Sequence, residues 1–309
     1  MTAAPLAVTG ATGFVGSRLL EIATRGGLTL TCLTRRLQPE RPGVRWIQGD
    51  LHDAPALAQL CEGARAVIHI AGVINASDAA GFERGNVEGT RNLLAAATRA
   101  GTGRFVHVSS LAAREPSLSL YGASKARSES AVRTSALDQQ IVRPPAVYGP
   151  GDRETLELFR LAARGFVPLP PKGRLSLIHA DDLVDLLLVL AEGRGRAGLL
   201  LEPDDGRPGG WTHEQFAQAI AGAVGRERVR TLSMPRPLVR LGAQLDRLVR
   251  GESAKLTPDR AAYFCHPDWT VAAEHRPDPA LWQPAVATPE GLRDTAAWYA
   301  REGWLDLPQ

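Results

Sequence analysis

The stretch Leu6-Ala7-Val8-Thr9-Gly10-Ala11-Thr12-Gly13-Phe14-Val15-Gly16 decides the fold of this chain. A short apolar run ends in three glycines spaced three apart. An amphipathic run carrying Phe14, Val15, Leu19, Leu20 and Ile22 follows. The pattern reads as strand, tight turn and helix. Gly10 suits a turn conformation closed to residues with a Cβ. Gly13 lets the backbone approach a bound group, and Gly16 lets the helix pack closely on the strand. The helix start offers unpaired N–H groups and the positive end of a dipole, a seat for a phosphate-bearing ligand.

Working outward, strand and helix patterns alternate. Strands are expected at 28–33, 44–48, 64–70, 104–108 and 140–142, and helices at 80–100 and 121–136. This alternation predicts an α/β fold, a doubly wound parallel sheet covered on both faces. Ligands bind such sheets at the carboxyl ends of their strands. Beyond Gly149-Pro150-Gly151 the alternation loosens. Helices are expected at 153–164 and 181–192, a short strand at 175–178, and a last strand of the sheet at 199–201. Thr212 and Gln215 form a capping box for a helix reaching Val224. A strand at 229–232, a basic helix at 237–250 and a final helix near 289–301 complete the chain. The expected division is a nucleotide-binding domain over 1–150, with a returning segment near 175–202. A smaller, mostly helical C-terminal substrate domain covers 151–174 and 203–309.

The chain has 309 residues, 44% hydrophobic and 22% charged, with a net charge of +3. That is ordinary for a globular protein, and the small basic excess gives nucleic-acid binding no support. Cys32, Cys61 and Cys265 are too few and too scattered for a disulfide framework or a metal site. They read as buried thiols in a reducing compartment. A strand beginning near residue 5 leaves no room for a signal peptide. The longest apolar run, 183–191, is too short to span a bilayer. A cytoplasmic location is expected.

Tyr121 and Lys125 stand four apart in Tyr-Gly-Ala-Ser-Lys, on one face of a helix. A phenol ordinarily ionises near ~10. A neighbouring ammonium favours the phenolate, so the pair can pass a proton to or from a carbonyl or hydroxyl oxygen. Ser110, ending the strand before that helix, would hydrogen-bond the same oxygen, and Ser109 is its rival for that role. At the end of the second strand stand Arg35 and Arg36, with no acid before Glu40. Arginines there would pair with a ribose 2′-phosphate, where a carboxylate would accept from a free 2′-OH.

Taken together, Thr9 to Gly16, Asp50-Leu51, His69 to Gly72, Asn86-Val87-Glu88-Gly89-Thr90, Val108 to Ser110, Tyr121 to Lys125, Arg143 to Gly151 and Ile178 to Leu183 resemble the short-chain dehydrogenase/reductase superfamily. Within it they are similar to the extended branch of NAD(P)-dependent epimerase/dehydratase-like proteins. The resemblance runs from the glycine turn through at least residue 192. It implies a Rossmann fold and a bound dinucleotide. Gly10, Thr12, Gly13, Phe14, Val15 and Gly16 would hold the pyrophosphate, with Arg35 and Arg36 at the ribose. Asp50 and Leu51 would flank the adenine. Ala71, Gly72, Val108, Pro144 and Val147 would line the cleft. Ser110, Tyr121 and Lys125 would be the catalytic triad, Tyr121 and Lys125 also touching the cofactor. Asn86 would serve a proton-relay water or merely bond its neighbours near a helix start. No metal is implied, and a homodimer through the helices at 80–100 and 121–136 is expected from the family.

Nucleotide-sugar enzymes of this branch often carry an asparagine after the sixth strand. Here the segment is Arg143-Pro144-Pro145-Ala146-Val147-Tyr148. The short stretch between Ser110 and Tyr121 also resembles members acting on less polar ketones and alcohols. The expected activity is hydride transfer between NADP, with NAD the alternative, and a carbonyl or alcohol carbon of a small-molecule substrate. A nucleotide-sugar epimerase or dehydratase with tightly bound NAD is the first alternative, and a non-catalytic NAD(P)-binding assembly or sensor protein the second. Trp211, Trp269, Trp282, Trp298 and Trp304 are expected in the core of the smaller domain. The basic helix, with Arg236, Arg240, Arg247 and Arg250, is expected to turn its leucines inward as a lid helix, so that no membrane contact is predicted.

Overall fold

Every residue of β1 (Leu6–Thr9) is buried, because this strand lies in the middle of a seven-stranded parallel sheet. The computed structural model describes residues 4–250 and 258–307. They form two units. The first holds the chain up to Pro144, Leu183–Glu202 and Pro277–Gln283; the second holds Pro145–Asp182, Pro203–Arg276 and the chain from Pro284 onward. Residues 145–150 and 175–182, expected with the nucleotide-binding part, therefore group with the second unit. Trp282 groups with the first.

In the first unit β1 leads to α1 (Phe14–Arg25), β2 (Leu30–Thr34), β3 (Val44–Gln48), α2 (Ala54–Cys61) and β4 (Ala66–His69). The expected helix over 80–100 is divided into α3 (Ala79–Phe82), a π-helical segment (Glu83–Glu88) and α4 (Gly89–Arg99). Then come β5 (Arg104–Val108), α5 (Leu120–Arg133) and β6 (Asp138–Val142). Helix α2 has its signal in Asp53, whose carboxylate accepts from the Ala56 amide at 3.0 Å, and in Pro55 in its first turn.

The second unit begins with β7 (Ala146–Tyr148), α6 (Leu156–Ala163), β8 (Phe166–Leu169), β9 (Arg174–Leu175) and β10 (Leu177–His179). The single strand expected at 175–178 is two, since the chain changes partners at Ser176. Its buried hydroxyl donates to Asp204 at 2.8 Å, while β9 pairs with later strands and β10 with β7. After α7 (Ala180–Ala191), β11 (Leu199–Leu201) returns to the first unit and pairs with β6. The remainder is β12 (Trp211–Thr212), α8 (His213–Ala223), β13 (Arg230–Ser233), α9 (Arg236–Arg250), α10 (Pro258–Phe264), β14 (Asp268–Trp269) and α11 (Thr288–Arg301). The capping box forms: the Gln215 amide donates to Thr212 Oγ1 at 3.1 Å, and the Thr212 amide to Gln215 Oε1 at 3.0 Å.

The large sheet runs β3-β2-β1-β4-β5-β6-β11. Its strand order reverses between β1 and β4, the switch point where doubly wound sheets open a crevice at their carboxyl ends. Ala7, Leu33, Leu57, Leu60, Leu93, Phe105 and Ile141 form the core of this unit. The second unit has its own core of Tyr148, Phe159, Trp211, Phe216, Leu292 and Tyr299, with Trp298 and Trp304 against it. Among the described residues no helix is long and apolar enough to cross a membrane.

The leucines of α9 do not turn inward. Leu238, Leu241, Leu245 and Leu248 are all exposed, and the helix is held instead through Val239 and Ala243.

Candidate active site

The switch point between β1 and β4 is built by glycine. Gly10 sits at φ +76°, and a Cβ there would lie 2.6 Å from the Ala71 amide nitrogen beyond β4. At Gly16 a Cβ would lie 2.0 Å from the Gly10 carbonyl, so only glycine lets α1 start against the turn. Gly13 is the N-cap of α1 with no side chain to cap it, and the first turn of that helix carries no acid. The amides of Phe14 and Val15 therefore face outward beside the exposed Thr12 and Gly13. This is a cradle for a doubly charged diphosphate, and the residues fit the dinucleotide.

Around the cradle the strand ends of the first unit carry most of the other sequence-selected residues. Arg35 and Arg36 are exposed just past β2, where Thr34 Oγ1 donates to the Arg36 carbonyl at 2.8 Å. Among the described residues neither arginine is in an ion pair. Asp50, past β3, is exposed and accepts from the His52 amide at 2.7 Å. Leu51 is half-buried against Gly89, its carbonyl held by Asn92 at 3.0 Å. Ala71 and Gly72 follow β4, and Val108 ends β5. Buried Pro144 accepts from the Leu111 amide at 3.0 Å. Val147 lies on β7, in the second unit.

Ser110, Tyr121 and Lys125 also meet. The two serines at the end of β5 point to different partners. Ser109 Oγ donates to the buried Glu129 at 2.6 Å, whereas Ser110 Oγ is hydrogen-bonded with the Tyr121 hydroxyl and accepts from the Ala112 amide at 3.2 Å. Lys125 is 4% exposed, and its ammonium donates to the Val108 carbonyl at 2.9 Å. A Cβ at Gly72 would lie 3.7 Å from Lys125 Nζ and 3.2 Å from Asn86 Oδ1, so glycine keeps the space over both groups open.

The expected depression of the Tyr121 phenol is not what the structure shows. Burial raises its pKa, and the Ser110 hydrogen bond offsets this only in part. Burial also brings the Lys125 ammonium down to about 8, against the pull of Glu129. The phenol is thus held protonated at neutral pH.

Asn86 lies in the π-helical segment and does more than bond its helix. Its Oδ1 accepts from the Val73 amide at 2.7 Å, and its Nδ2 donates to the Val73 carbonyl at 2.9 Å and to Ser124 Oγ at 2.8 Å. It ties the end of β4 to the helix bearing Tyr121 and Lys125. The extra residue of a π-turn re-aims a side chain in this way.

Sequence reasoning assigns no role to several residues of this site. His69 bridges Thr9 at 2.7 Å and Thr90 at 2.9 Å, and burial together with the Lys125 charge brings it down to about 3, so it is neutral. Glu129, one helical turn beyond Lys125, accepts from Ser109, from Arg143 at 2.8 and 2.7 Å, and from Arg133 at 2.7 Å. Burial alone would raise its carboxyl. The bonds from Arg143 and Ser109, with the charges of Arg143 and Arg133, outweigh burial and hold it below the usual carboxylate range. Arg143 also donates to buried Glu202 at 3.2 Å.

The chain is similar to known proteins. A model of the NAD-dependent epimerase/dehydratase family matches residues 6–198. The ceramide reductase of Caulobacter vibrioides is 39% identical over 317 residues, covering 97% of this chain and 96% of that protein. The 2-alkyl-3-oxoalkanoate reductase of Stenotrophomonas maltophilia is 30% identical over 331 residues, covering 93% and 96%. MoeE5, solved with UDP-glucuronic acid and NAD, superposes with a TM-score of 0.74 at 23% identity, covering 96% of this chain and 99% of its own, a likeness of fold. With a glycine cradle at the switch point of a parallel sheet and a serine, tyrosine and lysine gathered at the end of β5, the chain belongs to the NAD-dependent epimerase/dehydratase family and is an NAD(P)-dependent enzyme of the extended short-chain dehydrogenase type.

Proposed function

We propose that this enzyme is an NADP-preferring reductase acting on a ketone carbon within a long aliphatic substrate. The observation that carries the reading is the Tyr121 phenol, kept protonated by burial and hydrogen-bonded with Ser110, one helical turn from the buried Lys125. When bound, the nicotinamide would supply the hydride. As a carbonyl oxygen gains negative charge, Tyr121 Oη is equipped to give it a proton. The Ser110 hydroxyl orients that oxygen, and the Lys125 ammonium favours the phenolate left behind. Asn86 holds the β4 end against the helix that bears both groups. In the oxidative direction the same groups would take the proton back.

The substrate class rests on two relatives at least 30% identical and aligned over nearly the whole chain, whose names specify reductases of a ceramide and of a branched 3-oxo acid. Both are hydrocarbon-rich molecules. Pro144 and Pro145, in place of an asparagine, agree with a site not built for a sugar phosphate. The test is a substrate panel followed by NADPH fluorescence: a 2-alkyl-3-oxoalkanoate, an N-acyl amino alcohol bearing a long-chain ketone, and UDP-glucose. NADPH consumption with either lipid ketone is expected. UDP-glucose conversion without net change in a tightly retained NAD would establish the epimerase instead. Cofactor binding without turnover on any member would favour a sensor or assembly protein.

The preference for NADP rests on Arg35 and Arg36, exposed and without a carboxylate partner among the described residues. Charge-assisted bonds to a 2′-phosphate are worth about ten- to a hundredfold in affinity. Arg35→Ala/Arg36→Ala should weaken NADP binding by roughly that factor and leave NAD binding unchanged. Titrations giving equal Kd for the two cofactors in both proteins would refute the preference.

A further inference from the structure

Helix α9 turns its larger apolar face to solvent. Leu238, Leu241, Leu245 and Leu248 recur at helical spacing on one stripe and are 51, 51, 53 and 81% exposed. The opposite, narrower stripe of Val239 and Ala243 packs with Met234, with Ala261 of α10 and with Cys265 just after that helix. A helix serving only its own core buries the wide stripe. The strand leading into α9 extends the apolar surface. Leu232 is 58% exposed and pairs with Pro168, two residues along from Phe166, which is 43% exposed. Leu232 and Phe166 thus share one face of the β8–β13 ribbon.

The charge of this region is equally one-sided. Residues 226–250 carry seven arginines against Glu227 and Asp246, in a chain whose net charge is only +3. Arg228, Arg230, Arg236 and Arg240 are exposed.

We propose that α9, with the β8–β13 ribbon before it, docks this enzyme onto the surface of an anionic phospholipid bilayer. The leucines would enter the boundary between headgroups and acyl chains, while the arginines pair with lipid phosphates. Charge decides between a bilayer and a second copy of the chain. Arg230, exposed and paired with Phe166, shares the ribbon face of Leu232, so a two-fold dimer through this face would set that charge against its own copy, whereas an anionic surface neutralises it together with the arginines that flank the leucine stripe. The proposal stands independently of the substrate reading, although docking would place the enzyme where hydrocarbon-rich ketones reside.

The test is co-sedimentation of the whole protein, without substrate, with vesicles of phosphatidylcholine alone or mixed with phosphatidylglycerol. Binding is expected only to the mixed vesicles and should weaken with salt. Leu238→Gln/Leu241→Gln/Leu245→Gln/Leu248→Gln should lower partitioning by about tenfold or more. Its thermal midpoint should not fall, because these side chains are exposed. A dye on Leu245→Cys, the native cysteines being buried, should shift to the blue on mixed vesicles. Wild-type protein that stays in the supernatant, or a leucine variant that still sediments fully, overturns the proposal. So does a dye spectrum unchanged by vesicles. A leucine variant that turns a dimer into a monomer while vesicle binding persists assigns the face to a second copy.

Discussion

Replacing Tyr121 with phenylalanine is expected to lower kcat for ketone reduction by about 10²–10⁴-fold, with little change in the Kd for the cofactor. The substitution removes one oxygen and little else. The ring keeps its tilted contact with Phe82, whose centroid is 6.2 Å away. Ser110 keeps the Ala112 amide as a partner. Lys125 keeps its bond to the Val108 carbonyl. What is lost is the proton donor for the oxygen that gains charge, and the neighbouring histidines do not replace it. His69 and His107 are buried and neutral, burial being the main cause in each. Single-turnover rates beside cofactor titrations make the check. A variant retaining most of the wild-type kcat would remove Tyr121 from the chemistry. A large loss of cofactor affinity would instead mark its role as binding.

The parts of the molecule legible in its sequence are those that backbone geometry forces on neighbouring residues. The turn at Gly10 and Gly16 cannot be made with other side chains, so its three glycines betray both the strand before and the helix after. Tyr121 and Lys125 share a helical face because they are four apart, and β11 shows as three consecutive leucines. The parts that were not legible depend on distant partners or on orientation. Ser109 and Ser110 are equivalent as a dipeptide. They separate only because Glu129, twenty residues on, claims Ser109. The π-turn around Asn86 adds a residue that a regular helical period cannot display. Helix α9 is plainly two-faced in sequence, but periodicity does not say which face meets the protein. Ala261 of α10, Cys265 just past it and Met234 before α9 decide that, by packing on Val239 and Ala243.

Glu129→Gln is expected to act on both stability and the pH dependence of reduction. The carboxylate is fully buried and accepts from Ser109, Arg133 and twice from Arg143. An amide turns one acceptor into a donor facing an arginine and leaves the guanidinium charges less compensated. Arg143 retains Glu202, so the loss should fall near the low end for breaking a buried pair, about 3 kcal/mol in urea denaturation at neutral pH. The carboxyl of Glu129 is held below its usual range when folded, so its stabilisation is present above the unfolded-state value of about 4.3. That stabilisation is lost as pH falls through the lower folded value. The gap between wild type and variant should therefore narrow in acid. The catalytic effect has the opposite pH range. Lys125, one turn away, is brought down to about 8 by burial, with Glu129 raising it. Reduction by the wild type should decline above that pH as the ammonium is lost. Without the Glu129 charge the same decline should begin at lower pH, by roughly one pH unit. Destabilisation alone would lower the amount of active enzyme at every pH and leave the midpoint of the decline where it was. An unmoved midpoint in Glu129→Gln therefore confines the residue to folding, and a lowered one makes it the group that keeps Lys125 charged.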